Sequence, residues 1–177
     1  RSQAGYLGSV RSFFRWLSRE NYILYNPASE IELPKQPKCL PKHVLTEDEA
    51  ELILSIPDIE TELGIRDRAM LEVLYSTGIR RMELVNLSLY DIDKSAGTVL
   101  VRLGKGQKDR MVPIGDRALA WIEKYIEEVR PLCLRDLNEK TLFLGVTGEA
   151  ISGSRLTQLI RRYVRKVDIG KTGSCHL

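Results

Sequence analysis

A chain of 177 residues, 43% of them hydrophobic, is long enough to bury the core of one domain together with a piece of a second. Its three cysteines, Cys39, Cys133 and Cys175, are odd in number and far apart, so they indicate neither a disulfide framework nor a zinc site and favour a reducing, cytoplasmic setting. No apolar run approaches the roughly 20 residues that cross a bilayer, so we expect no membrane partner.

The net charge of +3 is unevenly distributed along the chain. Residues 44–77 carry 2 basic and 9 acidic side chains, whereas residues 153–177 carry 6 basic and 1 acidic. Such alternation can fold into one positive and one negative face, as in proteins that bind polyanions. Ordinary solvated helix surface would produce the same pattern, so charge alone leaves both interpretations open.

The first predicted element is an amphipathic helix over Gln3–Arg19, in which apolar residues recur with the helical period and Arg11 and Arg15 lie elsewhere on the surface. Four prolines between residues 26 and 42 exclude a regular helix and indicate an extended, basic linker. A domain boundary is therefore expected in this stretch. The predicted segments are residues 1–26, the last helix of a first domain; residues 27–44, the linker; and residues 45–177, a second domain.

Three helices are predicted after the linker. Thr46 and Glu49 have the spacing of a capping box, in which each side chain satisfies a free backbone N–H at the start of a helix. A second helical pattern covers residues 61–76 and is stopped by Gly78. A short helix then resumes over Arg81–Asn86, with apolar residues that are candidates for the core.

Two strands joined by a basic turn follow, over residues 98–103 and 110–114. Glycines on either side of Lys105 allow close approach to another backbone, and Lys108 and Arg110 add charge suited to a DNA groove or to phosphates. The spacing does not fit a nucleotide-binding Walker loop. A solvated hairpin with a charged tip is the alternative interpretation.

Helical patterns dominate the rest of the chain. Asp116 is predicted to cap a helix that Pro131 closes near residue 130, and residues 141–144 are predicted as a short strand. Ser152 should cap a last helix to about Val167. The order of helices, a small antiparallel sheet and further helices defines a mixed, mainly α fold of the α+β class.

Arg80 is the residue most strongly indicated as functional. It lies on the irregular stretch between two predicted helices, where free backbone donors collect anions, and a guanidinium can bind two phosphate oxygens at once. The alternative is an Arg80–Glu83 ion pair, three residues apart on one helical face, that serves structure only.

Three motifs in this order resemble those of the tyrosine recombinases, the group of integrases and Xer-type enzymes. They are T-G-I-R-x-x-E-L at Thr77–Leu84, G-K-G-x-K-x-R-x-V-P-I at Gly104–Ile114, and His176-Leu177. The resemblance covers nearly the whole chain. It implies a tyrosine-recombinase catalytic domain over residues 45–177, incomplete at its C-terminus, and identifies residues 1–26 with the end of a helical core-binding domain.

The resemblance also implies a reaction. A tyrosine hydroxyl attacks a DNA phosphodiester, forms a 3′-phosphotyrosyl link and frees a 5′-hydroxyl. Arg80 would clamp the nonbridging oxygens, Lys105 would protonate the leaving 5′-oxygen, and His176 would transfer a proton or contact the phosphate. Glu83 would support the Arg80 turn, and because the protein's own cations supply the charge, no catalytic metal and no cofactor are expected.

The implied partner is double-stranded DNA, held at paired sites by a homo-tetramer of the whole protein; the 177-residue chain itself is expected to be a monomer. Further side chains are expected to contact DNA: Arg11, Arg15, Arg81, Gln107, Lys108, Arg110, Arg155, Arg161 and Lys171.

The family pattern continues past Leu177, with a second arginine, another histidine or tryptophan, and the nucleophilic tyrosine. All seven tyrosines present precede the His176 motif, so none inherits the nucleophile's role. The parent protein is therefore expected to integrate, excise or resolve DNA, and this chain alone not to cleave it. The alternatives are a non-catalytic DNA-binding module and a regulatory module derived from a recombinase.

Overall fold

The chain divides into two compact units, Arg1–Lys42 and His43–Leu177, and this division falls inside the predicted linker. The computed structural model describes residues 3–34, 44–102, 108–167 and 170. Within those residues no helix is both long and apolar enough to cross a membrane.

The first unit contains helix α1, Gln3–Arg19, with the predicted bounds. None of its residues is buried, although the apolar stripe is present. Phe13 and Trp16 stack with ring centroids 6.4 Å apart, and Trp16 packs against Tyr22 at 5.6 Å. Phe13, Trp16 and Tyr22 thus contact one another while remaining exposed.

The second unit is mainly helical. Its elements in chain order are α2 Glu47–Ser55, α3 Glu62–Thr77, α4 Arg81–Val85, a 3₁₀ turn Leu89–Asp91, β1 Ile92–Asp93, β2 Thr98–Val101, β3 Arg110–Pro113, α5 Asp116–Lys124, a π-turn Tyr125–Val129, α6 Arg130–Cys133 and α7 Gly153–Lys166. The predicted mainly α class with a small antiparallel sheet is confirmed.

Local capping explains why the predicted starts of α2 and α7 are right. At α2 the Thr46 hydroxyl accepts from the Glu49 N–H at 3.3 Å, and the Glu49 carboxylate accepts from the Thr46 N–H at 2.7 Å. At α7 the Ser152 hydroxyl accepts from the Arg155 N–H at 3.2 Å. Each cap satisfies backbone donors that the helix cannot pair.

The strands form one antiparallel sheet in the order β1-β2-β3. Val99 on β2 lies opposite Ile92 on one side and Val112 on the other, and it is fully buried. Strand β1 escaped prediction because two residues are too short to show alternation. The tip of the hairpin, residues 103–107, lies outside the described residues.

Two predictions for the following segment are wrong. Pro131 does not close the helix, because a π-turn intervenes and the Arg130 N–H bonds to the carbonyl of Tyr125, five residues back. This wider turn lets helical geometry continue past a residue that has no N–H, as far as Cys133. Asp116 is the first helical residue and not the cap, a position that Gly115 occupies.

The predicted strand over residues 141–144 is also absent. Thr141 and Leu144 each form one isolated bridge, to Ser88 and Ala150 respectively. The segment is buried for a different reason: Phe143 packs against Tyr125 with ring centroids 5.4 Å apart. The apolar run Leu142–Leu144 indicates burial without fixing the backbone conformation.

Helix α3 contributes buried residues along most of its length and contacts α4. Leu84 on α4 and Leu87 just after it are both fully buried. Helix α7 approaches α4 closely at Gly153, where a Cβ atom would lie 2.7 Å from the sulfur of Met82. Helix α4 is therefore packed between α3 and α7.

Candidate active site

The turn between α3 and α4 fixes the backbone of Arg80 and leaves its side chain in solvent. Gly78 ends α3 in the left-handed conformation, with φ +60°, and its N–H bonds to the Leu74 carbonyl at 2.9 Å. Arg80 then adopts an extended backbone at the N-cap position of α4. Ile79 and Leu84 bury themselves beside it, whereas the Arg80 side chain remains 55% exposed.

Glu83 lies beneath this turn and joins it to the sheet. Its carboxylate accepts the Arg80 backbone N–H at 2.8 Å and the Arg80 Nη1 at 3.1 Å. It also accepts Nη1 and Nη2 of Arg110, on β3, at 3.0 and 2.7 Å. The Arg80–Glu83 ion pair that the spacing of these residues suggested is therefore present. It belongs to a cluster of three residues, Arg80, Glu83 and Arg110.

Hydrogen bonds from Arg110 lower the pKa of Glu83 from an ordinary 4.5 to about 2. Burial of the carboxylate opposes this shift, and the hydrogen bonds from Arg80 add to it. The same contact raises the pKa of Arg110. Glu83 is thus an anion throughout the physiological range, with a guanidinium on each side.

This cluster is expected to make the second unit sensitive to acid. Because folding depresses the pKa of Glu83, the resulting stability is complete above about pH 4.5 and is lost as pH falls toward about 2. The loss should approach about 1.4 kcal/mol per pH unit in that window. Urea unfolding at fixed ionic strength should show a flatter acid profile for Glu83→Gln than for wild type; parallel profiles would contradict the prediction.

Above Glu83 lies an open cleft of about 520 Å³, lined by Gly78, Arg80, Lys108, Asp109 and Arg110. It contains three cationic side chains and one carboxylate. Lys108 is exposed, as expected for a residue that could contact phosphate. Such a concentration of fixed positive charge is suited to binding a phosphodiester and to stabilising extra negative charge on its oxygens.

The remaining predicted site residues are more scattered. Arg81 donates to the Thr157 hydroxyl at 2.8 Å and so joins α4 to α7. Arg155 and Arg161 are exposed on α7. Arg11 and Arg15 lie on α1, in the first unit. Those that fall outside the described residues are Lys105, Gln107, Lys171 and His176.

A buried charge cluster that sequence reasoning missed connects α3 to α7. Asp67 accepts Nε and Nη2 of Arg66 at 3.0 and 2.7 Å and the Tyr163 hydroxyl at 2.7 Å. Arg66 also donates to the Leu144 carbonyl at 3.2 Å. Burial, followed by the bond to Asp67, raises the pKa of Tyr163 to about 12. Two charged neighbours inside a helical pattern gave no signal of burial.

The basic face of α7 extends beyond the two arginines singled out in the sequence. Arg162, Arg165 and Lys166 lie beside Arg161 on the same surface. The helical period was a usable signal for this face, since apolar residues alternate with the basic ones along α7. Among the described residues, no group of three or more His, Cys, Asp or Glu side chains is placed to hold a metal ion.

The fold is that of tyrosine recombinase catalytic domains. The XerA recombinase structure superposes with a TM-score of 0.64 at 23% identity, covering 99% of this chain and 58% of that one. XerH recombinase bound to difH substrate gives 0.69 at 23% identity, covering 92% and 47%. The Tn1549 transposon integrase in complex with transposon right end DNA gives 0.75 at 20% identity, covering 96% and 61%.

Residues 43–176 match the phage integrase family, and the chain belongs to that family. It is 50% identical over 176 residues to tyrosine recombinase XerC 2 of Ralstonia nicotianae, covering 99% of this chain and 50% of that protein. It is 39% identical to XerD of Staphylococcus epidermidis, covering 99% and 59%. The chain thus spans about half the length of the curated relatives it matches, and the resemblance inferred from three motifs is confirmed.

Proposed function

We propose that this chain is part of a site-specific DNA recombinase that cleaves and rejoins strands through a 3′-phosphotyrosyl intermediate. The observation that carries the proposal is the exposed guanidinium of Arg80, held by buried Glu83 at the mouth of a cationic cleft. Family membership supplies the reaction. The structure supplies a group suited to its most demanding step.

In that step the phosphorus gains a fifth oxygen neighbour and its nonbridging oxygens gain negative charge. Arg80 retains donors beyond the one bonded to Glu83 and can direct them at those oxygens. Lys105 is proposed to protonate the leaving 5′-oxygen and His176 to assist proton transfer or contact the phosphate. The second arginine and the nucleophilic tyrosine of the family pattern belong after His176, so strand cleavage is a property we assign to the full-length protein.

The proposed partner is double-stranded DNA. The solved XerH and Tn1549 integrase structures contain DNA, which supports this assignment. We further propose that the whole protein works as a homo-tetramer on paired sites, in the cytoplasm where its DNA lies. Residues 1–26 are assigned to the end of a core-binding domain, residues 27–44 to a linker and residues 45–177 to the catalytic domain.

DNA binding can be tested on the 177-residue chain itself. If Arg155 and Arg161 contact phosphates, Arg155→Gln/Arg161→Gln should weaken duplex affinity and reduce the slope of log affinity against log salt by about 2, because each phosphate contact contributes about 0.9. Fluorescence anisotropy with a labelled duplex, over a salt series, measures both quantities.

The matched control removes the same charge elsewhere. Lys94 pairs with Glu123 on the surface and Arg135 is exposed on a loop, so Lys94→Gln/Arg135→Gln should leave the slope unchanged. If both double variants lose the same affinity and the same salt slope, the effect would come from net charge alone and not from contacts of Arg155 and Arg161. Absence of duplex binding by wild type at low salt would overturn the proposed partner.

A further inference from the structure

Glu83 is shared unequally by two arginines. Arg110 uses both terminal nitrogens, at 3.0 and 2.7 Å, one to each carboxylate oxygen. The Arg80 side chain uses one nitrogen, at 3.1 Å. Within the described residues this is the single side-chain hydrogen bond that Arg80 makes. Arg110 therefore occupies the two-pronged position on the carboxylate, and Arg80 the weaker one.

The unequal hydrogen bonding of the two arginines matters because a buried carboxylate must be neutralised by nearby donors. The Glu83 side chain is 7% exposed, so its charge must be compensated by protein donors. A guanidinium compensates a carboxylate best when two parallel N–H groups bind its two oxygens. Without Arg110, the guanidinium already in contact with Glu83 and able to fill that position is Arg80.

The same Arg80 donors are needed elsewhere if the proposed function holds. A guanidinium bound through two nitrogens to Glu83 would point those nitrogens at the protein and away from the cleft. Its positive charge would then stabilise the Glu83 carboxylate more, and the negative charge that develops on the phosphate oxygens less. Glu83 is thus both the anchor of Arg80 and a competitor for it.

We propose that Arg110 is a positioning residue whose role is to saturate Glu83, so that Arg80 stays anchored but available to the scissile phosphate. This inference rests on the proposed function and reassigns Arg110, which the sequence suggested as a DNA contact. Its two terminal nitrogens are bound to Glu83, and its side chain is 38% exposed against 55% for Arg80. Arg110 acts on the reaction through the carboxylate, 27 residues away in sequence.

In the full-length protein that carries this chain, Arg110→Gln should slow single-turnover cleavage of a nicked duplex about 10²-fold, the effect expected of a reacting group displaced by about 1 Å. Glu83→Gln/Arg110→Gln should cleave about tenfold faster than Arg110→Gln, because removing the carboxylate also removes the competitor for Arg80. Arg110→Lys should fall between wild type and Arg110→Gln, since an ammonium supplies the charge but not the paired N–H groups.

Two other roles for Arg110 predict different results. If it only braces β3 against α4, the double variant should be as slow as Arg110→Gln or slower, and the proposal is overturned. If it contacts DNA, Arg110→Gln should weaken duplex affinity and leave the rate at saturating enzyme near that of wild type, which also overturns it. The proposal requires the opposite split, with a reduced saturated rate and affinity within about threefold of wild type.

Folding and the parent function are controlled separately. Thermal melts of all variants identify those that fold; if Arg110→Gln does not, Arg110→Lys and Glu83→Gln/Arg110→Lys replace that pair, with the double variant again expected to be the faster. If wild type forms no covalent adduct with any recombination-site duplex, the proposed function fails. If wild type cleaves and neither double variant exceeds its single parent, this inference fails alone.

Discussion

Replacing Arg80 by lysine in the full-length protein is expected to slow DNA strand cleavage by about 10³-fold or more, the range seen when an arginine that stabilises phosphoryl-transfer charge is lost. Lysine keeps the positive charge, but its three N–H groups radiate from one nitrogen and lack the planar fork with which a guanidinium binds Glu83 and two phosphate oxygens together. Duplex affinity should stay within a few-fold of wild type. The measurement is the single-turnover rate of covalent adduct formation on a nicked duplex.

Arg102 offers a matched control for this substitution. It is 57% exposed, against 55% for Arg80, and it too pairs with a buried carboxylate, that of Asp91 at 2.7 Å. It does not line the cationic cleft. Arg102→Lys should therefore cleave at the wild-type rate. Cleavage retained by Arg80→Lys would favour a DNA-binding or regulatory role for the cleft over a catalytic one.

The largest loss of stability is expected from Asp67→Ala. This change removes the charge partner of Arg66, whose side chain is 8% exposed, and the acceptor of the Tyr163 hydroxyl. A buried charge left without its partner typically costs about 3 to 5 kcal/mol. Urea unfolding of the 177-residue chain, followed by circular dichroism, should show a fall of that size in the free energy of unfolding.

Tyr163→Phe separates the charge effect from the hydrogen bond between α3 and α7. It removes the hydroxyl and leaves the Arg66–Asp67 pair intact, so the expected loss is about 1 kcal/mol. The two substitutions share a contact, and their combined effect should be smaller than their sum. An Asp67→Ala loss as small as that of Tyr163→Phe would show that Arg66 finds compensation elsewhere, and the prediction would be wrong.

The parts of the fold that could be predicted are those set by neighbours in sequence. The starts of α2, α3 and α7 depend on Thr46, Thr61 and Ser152, whose hydroxyls bond to backbone groups three residues ahead. The prediction that Pro131 ends the helix was wrong because proline has that effect when a regular α-helix precedes it. The preceding π-turn holds Tyr125, which is buried against Phe143, and no local sequence pattern indicates such a turn.

In the candidate site, too, contacts between sequence neighbours could be predicted and contacts between distant residues could not. Arg80 and Glu83 could be paired from their spacing alone, because residues three apart share a helical face. Arg110 could not be placed on Glu83, since that contact depends on how β3 packs beside α4. The sequence shows the charge of Arg110 but not its partner, and for that reason it suggested a DNA contact.

The division into two units also has an optical consequence. The chain contains two tryptophans, one in each unit: Trp16 in the aromatic cluster of α1, and Trp121 under the guanidinium of Arg68 at 5.2 Å. When tryptophan is excited selectively over tyrosine, Trp16→Phe therefore leaves emission that reports on the second unit alone, and Trp121→Phe leaves a reporter of the first. The two emission signals can show whether the units melt together or separately without any added dye.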